Sequence, residues 1–368
     1  MLAPHVPTSP QPASLWRYLA THTGTLDTPV GAGPLAGDAQ ADVAIIGAGY
    51  SGLAAAYALS KRGVPCIVLD ANPVGWGASG RNGGVVSSKF RLSFPTIAAG
   101  YGLDVAKRMH RLAHDGVRVV ESFVDEFAIE RAEFQRTGSL RCAHTERALA
   151  ACVAEADWVR TSLGDRSMKV LTRSQTESET GSKGFVGGVL SEDAGTILPL
   201  EYVLGIARGL AACGVPIHES TPVVEIERMR GAPGVVLRTP AATVRAKQLI
   251  VATNAYSDLT SATAEYRREL VPFRSAMIAT ERLPAELDAK LMTARRSYTE
   301  TRRMMKWFRR ADGRMLFGGR DAFGKEGQDT GFEALRRAMI ALFPDLGSVP
   351  IAFRWSGYVG MTFNALPH

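Results

Sequence analysis

Three glycines and one carboxylate give the clearest chemical signal in the sequence. Gly47, Gly49 and Gly52 form a G-x-G-x-x-G turn, and Asp70 follows eighteen residues after the third glycine. In such a turn the first glycine permits a tight bend, the second lets the backbone approach a pyrophosphate, and the third lets helix and strand pack closely. A carboxylate near this distance can accept hydrogen bonds from ribose hydroxyls. The four residues therefore predict a dinucleotide site.

The residues around the glycines predict the elements that this site requires. The apolar run at 43–46 predicts a buried parallel strand, 53–61 a helix that ends before Gly63, and 66–69 a second strand that leads to Asp70. The helix N-terminus would direct N–H groups and a positive dipole end at the phosphates. A lone G-x-G-x-x-G also fits a glycine-rich turn without a ligand. Strand, turn, helix, strand and acid in this order favour binding.

A second glycine-rich stretch distinguishes between the common dinucleotides. Residues 74–84, VGWGASGRNGG, directly follow the acidic region. A nicotinamide-dependent enzyme would normally continue there into its next strand or helix. A chain that binds the longer FAD needs backbone that can lie along the pyrophosphate and the flavin, and glycine permits that approach. The loop therefore favours FAD.

The stretches VAIIGAGYSGLAAAYALSKRG and VGWGASGRNGG resemble the FAD-dependent amine oxidoreductases of the D-amino-acid oxidase, glycine oxidase and sarcosine oxidase superfamily. The segment GWGASGRNGG and the Ser-Leu-Trp at 14–16 are most similar to the gamma-glutamylputrescine oxidase-like branch. The FGGR phrase at 317–320 and the segment 362–367 extend the resemblance along nearly the whole chain.

This resemblance implies an α/β fold in two domains. One is a Rossmann-type FAD-binding domain that is discontinuous in sequence, and the other is a substrate domain with a mixed β-sheet backed by helices. The implied boundaries are 38–99, 196–260 and 350–368 for the FAD-binding domain, 100–195 and 261–349 for the substrate domain, and 1–37 for an N-terminal arm.

The motifs and the resemblance together assign FAD-binding roles along the chain. No Cys or His stands in the loop 75–84, so the FAD is expected to bind non-covalently. Val223 and Val224 resemble a dipeptide whose backbone meets the adenine, although plain strand core would explain them as well. The predicted cofactor-binding residues are Gly47, Ala48, Gly49, Tyr50, Ser51, Gly52, Asp70, Ala71, Ala78, Ser79, Arg81, Asn82, Gly83, Gly84, Val85, Val223, Val224, Ala252 and Thr253.

The implied reaction is oxidation of an amine or amino acid at its C–N bond, by hydride transfer to the flavin, to an imine that water hydrolyses to a carbonyl compound. Because the cofactor supplies this chemistry, no catalytic acid or base is assigned. Oxygen or another acceptor would take the electrons. Basic residues on a strand could pair with a substrate carboxylate, although solvent exposure is the plainer interpretation of such residues. The candidate substrate-binding residues are Lys306, Arg309, Phe317 and Arg320.

Two other functions stay open at this point. An NADPH-linked flavoprotein monooxygenase shares the first nucleotide fold but typically has a later glycine–aspartate signature, which the sequence lacks. The third possibility is a truncated, non-catalytic relative. Family members continue past the equivalent of His368 with a strand and a helix whose N-terminus faces the flavin, so a missing segment is expected here and FAD retention is open.

Composition excludes several classes of protein. The chain has 46% apolar and 21% charged residues, as in ordinary globular proteins. No apolar run approaches the ~18 residues of a membrane span, and no secretion signal is recognised. The net charge of +7 comes from scattered basic pairs without a nucleic-acid-binding module. The chain is therefore expected to be cytoplasmic, with small-molecule partners.

Further local predictions concern cysteines, histidines and one hairpin. Cys66 and Cys213 lie in apolar settings and are expected to be buried thiols. The seven histidines are interpreted as lacking a metal-binding pattern, so no metal site is predicted. Residues 133–142 predict a hairpin around a Thr-Gly turn, and Asp312-Gly313 predicts another. Residues 94–127 predict a helical region, and the first 38 residues a surface arm in which Trp16 docks on the body.

Overall fold

The predicted strand–turn–helix–strand unit is present in the computed structural model, which describes residues 13–229, 231, 233–320 and 330–367, except the side chains of 267, 320 and 330. The strands, numbered along the chain, are β1 Ala39–Ile46, β2 Cys66–Leu69, β3 Val85–Ser87, β4 Ser139–Ala143, β5 Met168–Leu171, β6 Gly187–Ser191, β7 Ala194–Thr196, β8 Ile217–His218, β9 Glu225–Arg228, β10 Val235–Arg238, β11 Thr243–Val251, β12 Val271–Arg282, β13 Ser297–Glu300, β14 Lys306–Ala311, β15 Arg314–Arg320 and β16 Ile351–Met361. The helices are α1 Leu15–His22, α2 Tyr50–Ser60, α3 Phe94–Tyr101, α4 Leu103–Glu126, α5 Glu146–Trp158, α6 Arg173–Thr180, α7 Pro199–Ala212, α8 Ala285–Lys290 and α9 Thr330–Leu342.

A six-stranded sheet contains the predicted dinucleotide unit. Its strand order is β8-β2-β1-β11-β10-β9, in which β1 pairs in parallel with both β2 and β11. Because β1 ends before Gly47 and the neighbouring β2 ends before Asp70, the glycine turn and the acid meet at the same edge of the sheet. Ligands of open α/β sheets bind at this carboxyl edge.

An eight-stranded mixed sheet forms the second large layer. Its order is β16-β12-β15-β14-β13-β4-β6-β5, and most of its neighbouring strands are antiparallel. The two-residue turn at Asp312 and Gly313 joins β14 to β15, and both residues have positive φ (51° and 67°), as a primed hairpin turn requires. This hairpin was correctly predicted.

The two sheets share a continuous apolar core. Ile45 and Val68 of the smaller sheet belong to the same buried cluster as Met277 and Trp355 of the larger one. Helix α7 contributes to this cluster along nearly its whole length, because most of its side chains are buried. The core therefore fixes the carboxyl edge of the smaller sheet against β12 and β16, which positions the site described below.

Three local predictions differ from the structure. Residues 133–142 do not form a hairpin: Gln135 bridges to Thr196, and β4 pairs with β6 and β13. Two turn residues do not produce a hairpin when the segments on either side of them pair with other strands. Cys213 is exposed just after α7, whereas Cys66 is buried as predicted. The helical region 94–127 is divided at Gly102 into α3 and α4.

The last strand does not follow the domain boundaries predicted above. Residues 351–361 form β16, which pairs with β12 in the larger sheet, so the assignment of 350–368 to the FAD-binding domain does not follow the sheets. The domain division otherwise stays a prediction. In the N-terminal arm, Trp16 lies in α1 and is 1% exposed.

Among the described residues, no helix combines the length and apolar character needed to cross a membrane.

Candidate active site

The glycine turn has the geometry that its residue types predict. Gly47 has φ 109°, a conformation that favours glycine, and its N–H donates to the Leu69 carbonyl at 2.8 Å. A Cβ on Gly52 would lie 1.9 Å from the Gly47 oxygen, so a side chain there would push α2 away from the turn. The turn therefore depends on the absence of a side chain at both positions.

Asp70 closes the turn from the neighbouring strand. Its Oδ2 accepts the Ala48 N–H at 2.7 Å and its Oδ1 accepts the Asn72 N–H at 2.9 Å. Burial raises the pKa of Asp70 to about 6, against the lowering effect of these two N–H donors, and nearby Glu219 adds to the increase. The carboxylate is thus held in place by the backbone at the mouth of the turn.

The loop 74–84 is fixed by side chains from distant parts of the chain. The indole N–H of Trp16 donates to the Asn82 carbonyl, and the indole N–H of Trp355 donates to the Arg81 carbonyl, each at 2.8 Å. Arg81 is itself buried, and its Nε donates to the Trp76 carbonyl at 2.7 Å while its guanidinium lies over the Trp76 ring. The loop is therefore a rigid wall.

A cavity of about 370 Å³ lies along the glycine turn and this loop. The N-terminus of α2 faces it; the N-cap residue Gly49 has no side chain, and the Tyr50 N–H donates to the Ser79 Oγ at 3.0 Å. Twelve of the predicted cofactor residues line this cavity: Gly47, Gly49, Tyr50, Ser51, Asp70, Ala71, Ala78, Ser79, Asn82, Val223, Ala252 and Thr253. Trp76, Tyr256 and Asn254 add polar and aromatic surface that the sequence did not assign.

Three observations show that this cavity fits an extended dinucleotide. The N-terminus of α2, which has glycine as its N-cap, supplies N–H groups for phosphate. A Cβ on Gly49 would approach the Ser79 Oγ to 2.9 Å, so glycine keeps the passage between turn and loop open. The Nδ2 of Asn72, which lines the cavity, is buried and has no hydrogen-bond partner among the described residues. Buried donors of this kind normally have a partner, and a bound polar ligand would supply one.

The other predicted cofactor residues lie around this cavity rather than on its wall. Ala48 and Gly52 shape the turn behind it, as described above. Gly84 accepts the Ile197 N–H at 2.9 Å, Val85 pairs with Thr196 in β3, and Val224 donates to the Arg238 carbonyl. Arg81 and Gly83 line a second, adjoining cavity.

This second cavity has a volume of about 260 Å³ and shares Ala78, Asn82, Tyr358 and Val359 with the first. Its wall combines apolar and cationic side chains. The apolar part comes mainly from Phe273, Met277, Met305 and Trp307, and the cationic part from Arg81 and Arg91. Arg274 borders the cavity from β12, but its guanidinium lies over the Phe332 ring of α9, on the face of the strand opposite to Met277. Such a mixed wall can hold an organic anion next to whatever occupies the larger cavity.

The structure does not bring the predicted substrate residues to this cavity. Arg309 is buried, and its Nη1 donates to the carbonyls of Gly84 at 2.6 Å and Ile197 at 3.1 Å. Burial lowers the pKa of Arg309 to about 10. Phe317 is fully buried and stacks on Phe308 in the core of the larger sheet. Arg309 is therefore a structural cation, because strand alternation turns it toward backbone carbonyls.

Lys306 and Arg320 complete the predicted substrate set. The stem and Nζ of Lys306 lie against Gly319, where an added Cβ would meet the Nζ at 2.8 Å. Arg320 ends β15, and its side chain lies outside the described part of the structure. Trp307, the neighbour of Lys306 on β14, lines the second cavity and was not predicted to do so. The alternation of side chains along β14 could have identified it, since it faces opposite to Lys306.

Sequence reasoning also passed over a pair of histidines. His110 and His114 are four residues apart on α4, so they share one face of the helix. Both contact Asp165, a residue that lies outside α4. The H-x-x-x-H spacing was the signal that could have identified this cluster.

Comparison with known proteins agrees with the geometry. The family model described as "FAD dependent oxidoreductase" matches residues 42–368. The chain is 32% identical to the "Probable oxidoreductase OrdL" of Rhizobium meliloti, over 90% of this chain and 76% of that protein. It is 29% identical to the "Gamma-glutamylputrescine oxidoreductase" of Escherichia coli, over 89% and 75% of the two chains. The glycine oxidase structure from Geobacillus kaustophilus superimposes with a TM-score of 0.71 at 20% identity, covering 90% and 85%.

Proposed function

The chain belongs to the family of FAD-dependent oxidoreductases, and from this premise we propose that it oxidises the C–N bond of an amine or amino acid that carries a carboxylate. FAD held in the larger cavity would supply a hydride acceptor for the carbon beside the amine nitrogen. Loss of a hydride from the neutral amine gives a protonated imine, which water would convert to a carbonyl compound and a free amine. The names of the relatives, which refer to gamma-glutamylputrescine and glycine, support this substrate class.

The larger cavity is proposed to hold the FAD. Asp70 would accept hydrogen bonds from the ribose hydroxyls, and the N-terminus of α2 would meet the pyrophosphate. No cysteine or histidine among the described residues lines either cavity, which supports non-covalent binding. The buried thiols of Cys66, Cys142 and Cys152 support the proposal of a reducing, cytoplasmic location.

The smaller cavity carries the substrate proposal. Its position beside the larger cavity places a bound molecule next to the proposed FAD, and its apolar surface would exclude water from the reacting C–N bond. Arg91 would pair with a substrate carboxylate, since guanidinium groups recognise carboxylates through paired hydrogen bonds. Met277 and Trp307 would contact the carbon chain. The single observation that supports this assignment is the combination of arginines and apolar groups on one wall.

The same arginines would also favour the reactive form of the substrate. A protonated amine has no lone pair to assist loss of the hydride, so oxidation requires the neutral amine. Positive charge from Arg81 and Arg91 would lower the pKa of a nearby ammonium group. We therefore expect the cavity to bind the substrate carboxylate and to favour loss of the proton from the substrate ammonium group.

Anaerobic reduction of the FAD-loaded full-length protein tests this proposal. Carboxylate-bearing amines are compared with their decarboxylated counterparts: glycine with methylamine, proline with pyrrolidine, and lysine with cadaverine. We expect loss of flavin absorbance with carboxylate-bearing members of the panel. Re-admission of air then tells whether oxygen is the electron acceptor, because oxygen would restore the absorbance.

Two variants locate the carboxylate site. Arg91→Met removes a cation from the cavity wall, and Arg282→Met removes one from β12 at a site 67% exposed to solvent. Loss of a charged hydrogen bond worth about 1.5–3 kcal/mol should raise KM about 10–150-fold in Arg91→Met. Arg282→Met should leave KM unchanged. Equal KM in both variants would contradict the carboxylate site, and bleaching by NADPH without any amine would favour a monooxygenase.

A further inference from the structure

A cluster of two imidazoles and one carboxylate lies on α4, outside both cavities. The Nε2 of His110 is 2.9 Å from the Asp165 Oδ2, and the Nε2 of His114 is 3.3 Å from the same oxygen. Ligand atoms of the three residues all lie within 4.8 Å of one another. The side chains are 13–15% exposed, so the cluster is near the surface but largely shielded.

The surroundings hold these side chains in fixed orientations. The Nδ1 of His114 is bonded to the Asp193 Oδ2, and the other oxygen of Asp193 accepts from Arg136 at 2.7 Å. The second oxygen of Asp165 accepts the Ser167 N–H at 2.8 Å. A carboxylate on Nδ1 makes that nitrogen the donor and leaves the lone pair on Nε2, which points at the cluster. Histidines that bind metal characteristically have this outer carboxylate partner.

We propose that His110, His114 and Asp165 bind one Zn²⁺ ion. Two imidazole nitrogens and one carboxylate oxygen form a common zinc ligand set, with a water molecule in the fourth position. Metal–ligand bonds of about 2.0–2.2 Å in a tetrahedron place the ligand atoms about 3.4 Å apart. The two contacts to the Asp165 oxygen are 2.9 and 3.3 Å, close to this spacing, and the two imidazole nitrogens lie within 4.8 Å of each other, so rotations of the side chains would admit the ion.

The bound ion would connect parts of the chain that are remote in sequence. His110 and His114 lie in the first half of α4, Asp165 lies before β5, and Asp193 lies in the turn between β6 and β7. The metal would therefore join α4 to the outer strands of the larger sheet. Its assigned role is structural, and it is independent of the amine oxidation proposed above. A purely electrostatic His–Asp network is the alternative that the experiment must separate from it.

Zinc titration of the FAD-loaded full-length protein, treated first with EDTA and then freed of it, tests the site. We expect one Zn²⁺ per chain by calorimetry and by metal analysis, and a higher Tm with zinc. His114→Ala and Asp165→Asn should abolish stoichiometric binding. Asp193→Asn should weaken it about 10–100-fold, as for other outer-shell carboxylates. The matched control is His22→Ala, which removes an exposed histidine of α1 and should leave binding unchanged.

A second measurement uses the unaltered chain, so it does not depend on any variant folding. Diethyl pyrocarbonate acylates free imidazole nitrogens, and peptide mass mapping locates the products. Zinc should protect His110 and His114 while His22 reacts at the same rate with or without it. If the unaltered protein takes up no stoichiometric zinc, or zinc protects none of the histidines, the cluster is an ion-pair network and the proposal is wrong. Loss of zinc binding in His22→Ala would equally overturn it.

Discussion

Replacement of Asp70 by asparagine separates the electrostatic role of this residue from its structural one. In the folded chain the carboxylate accepts the N–H groups of Ala48 and Asn72, and burial raises its pKa from 3.8 to about 6. An asparagine amide can accept one of these donors through its oxygen, but its NH₂ group then faces the other. The variant should therefore retain the turn with one hydrogen bond fewer.

The pKa of Asp70 gives the size and the sign of the stability effect. Each pKa unit corresponds to about 1.4 kcal/mol, so an increase from 3.8 to about 6 makes ionisation about 3 kcal/mol more costly in the folded protein. For a carboxyl whose pKa is raised on folding, the stability is fully present below pH 3.8 and is lost as the pH rises through 6. Asp70→Asn cannot ionise, so it should not show this loss.

FAD affinity should change in the opposite direction. Ribose hydroxyls donating to an ionised carboxylate form charged hydrogen bonds, and loss of one such interaction costs about 1.5–3 kcal/mol. We expect the Kd of FAD to rise about 10–150-fold in Asp70→Asn at pH 8. In the unaltered protein the affinity should fall about tenfold per pH unit below pH 6, because protonated Asp70 is a poorer acceptor. The variant should show no such fall.

Quenching of FAD fluorescence between pH 5 and 8 measures the affinity, and urea denaturation of the FAD-free chain at the same pH values measures the stability. Asp42→Asn is the matched control, since Asp42 lies in the middle of β1, pairs with Lys247 and is 38% exposed. Unchanged FAD affinity in Asp70→Asn, or the same pH dependence with and without the carboxylate, would refute the assignment of Asp70 to the ribose.

Further substitutions test the positions that shape the site. Gly52→Ala should destabilise the protein by at least about 1–3 kcal/mol, because its Cβ would lie 1.9 Å from a carbonyl oxygen. The control is Gly116→Ala, in an open part of α4, which should be neutral or stabilising by up to about 1 kcal/mol in the same urea titration. Trp16→Phe removes one buried hydrogen bond to the loop at 74–84, so urea should show a loss of about 1 kcal/mol and stopped flow a faster release of FAD. Arg309→Met removes a donor from the carbonyls of Gly84 and Ile197, of which the Gly84 oxygen keeps the Ile197 N–H, and should cost about 1–3 kcal/mol. An unchanged KM for amines would separate Arg309 from a substrate-binding role, and a raised KM would restore that role.

The family, the fold class and the FAD dependence were predicted correctly from the sequence, and the comparisons confirm them. The glycine turn was predictable because its strands, helix and acid follow one another directly in sequence. Gly52 is required by a contact inside that unit, with the Gly47 oxygen, whereas a Cβ on Gly47 or Gly49 would clash with Ala252 or Ser79, which lie outside it. The assignment of individual residues to FAD or substrate stays a prediction.

Predictions failed where a residue finds its partner far along the chain. The basic pair at 309–310 fits a solvent-facing strand, yet the Arg309 guanidinium binds a carbonyl 225 residues away. The segment 133–142 contains a plausible turn, but Gln135 pairs with Thr196. Neither backbone partner has a residue type that a sequence pattern could reveal, because any residue supplies a carbonyl or an N–H.

The order and spacing of residues were enough to predict the local unit from 41 to 86: two strands, the helix between them, the glycine turn, the acid and the loop that follows. They suffice because strand, turn and helix preferences act over short distances. Three-dimensional packing was needed to form the second cavity, whose wall joins residues near 81, 91, 274, 307 and 358, and the cluster of His110, His114 and Asp165. These groups meet because two sheets and α4 pack around one core, and packing is set by long-range contacts that no local spacing encodes.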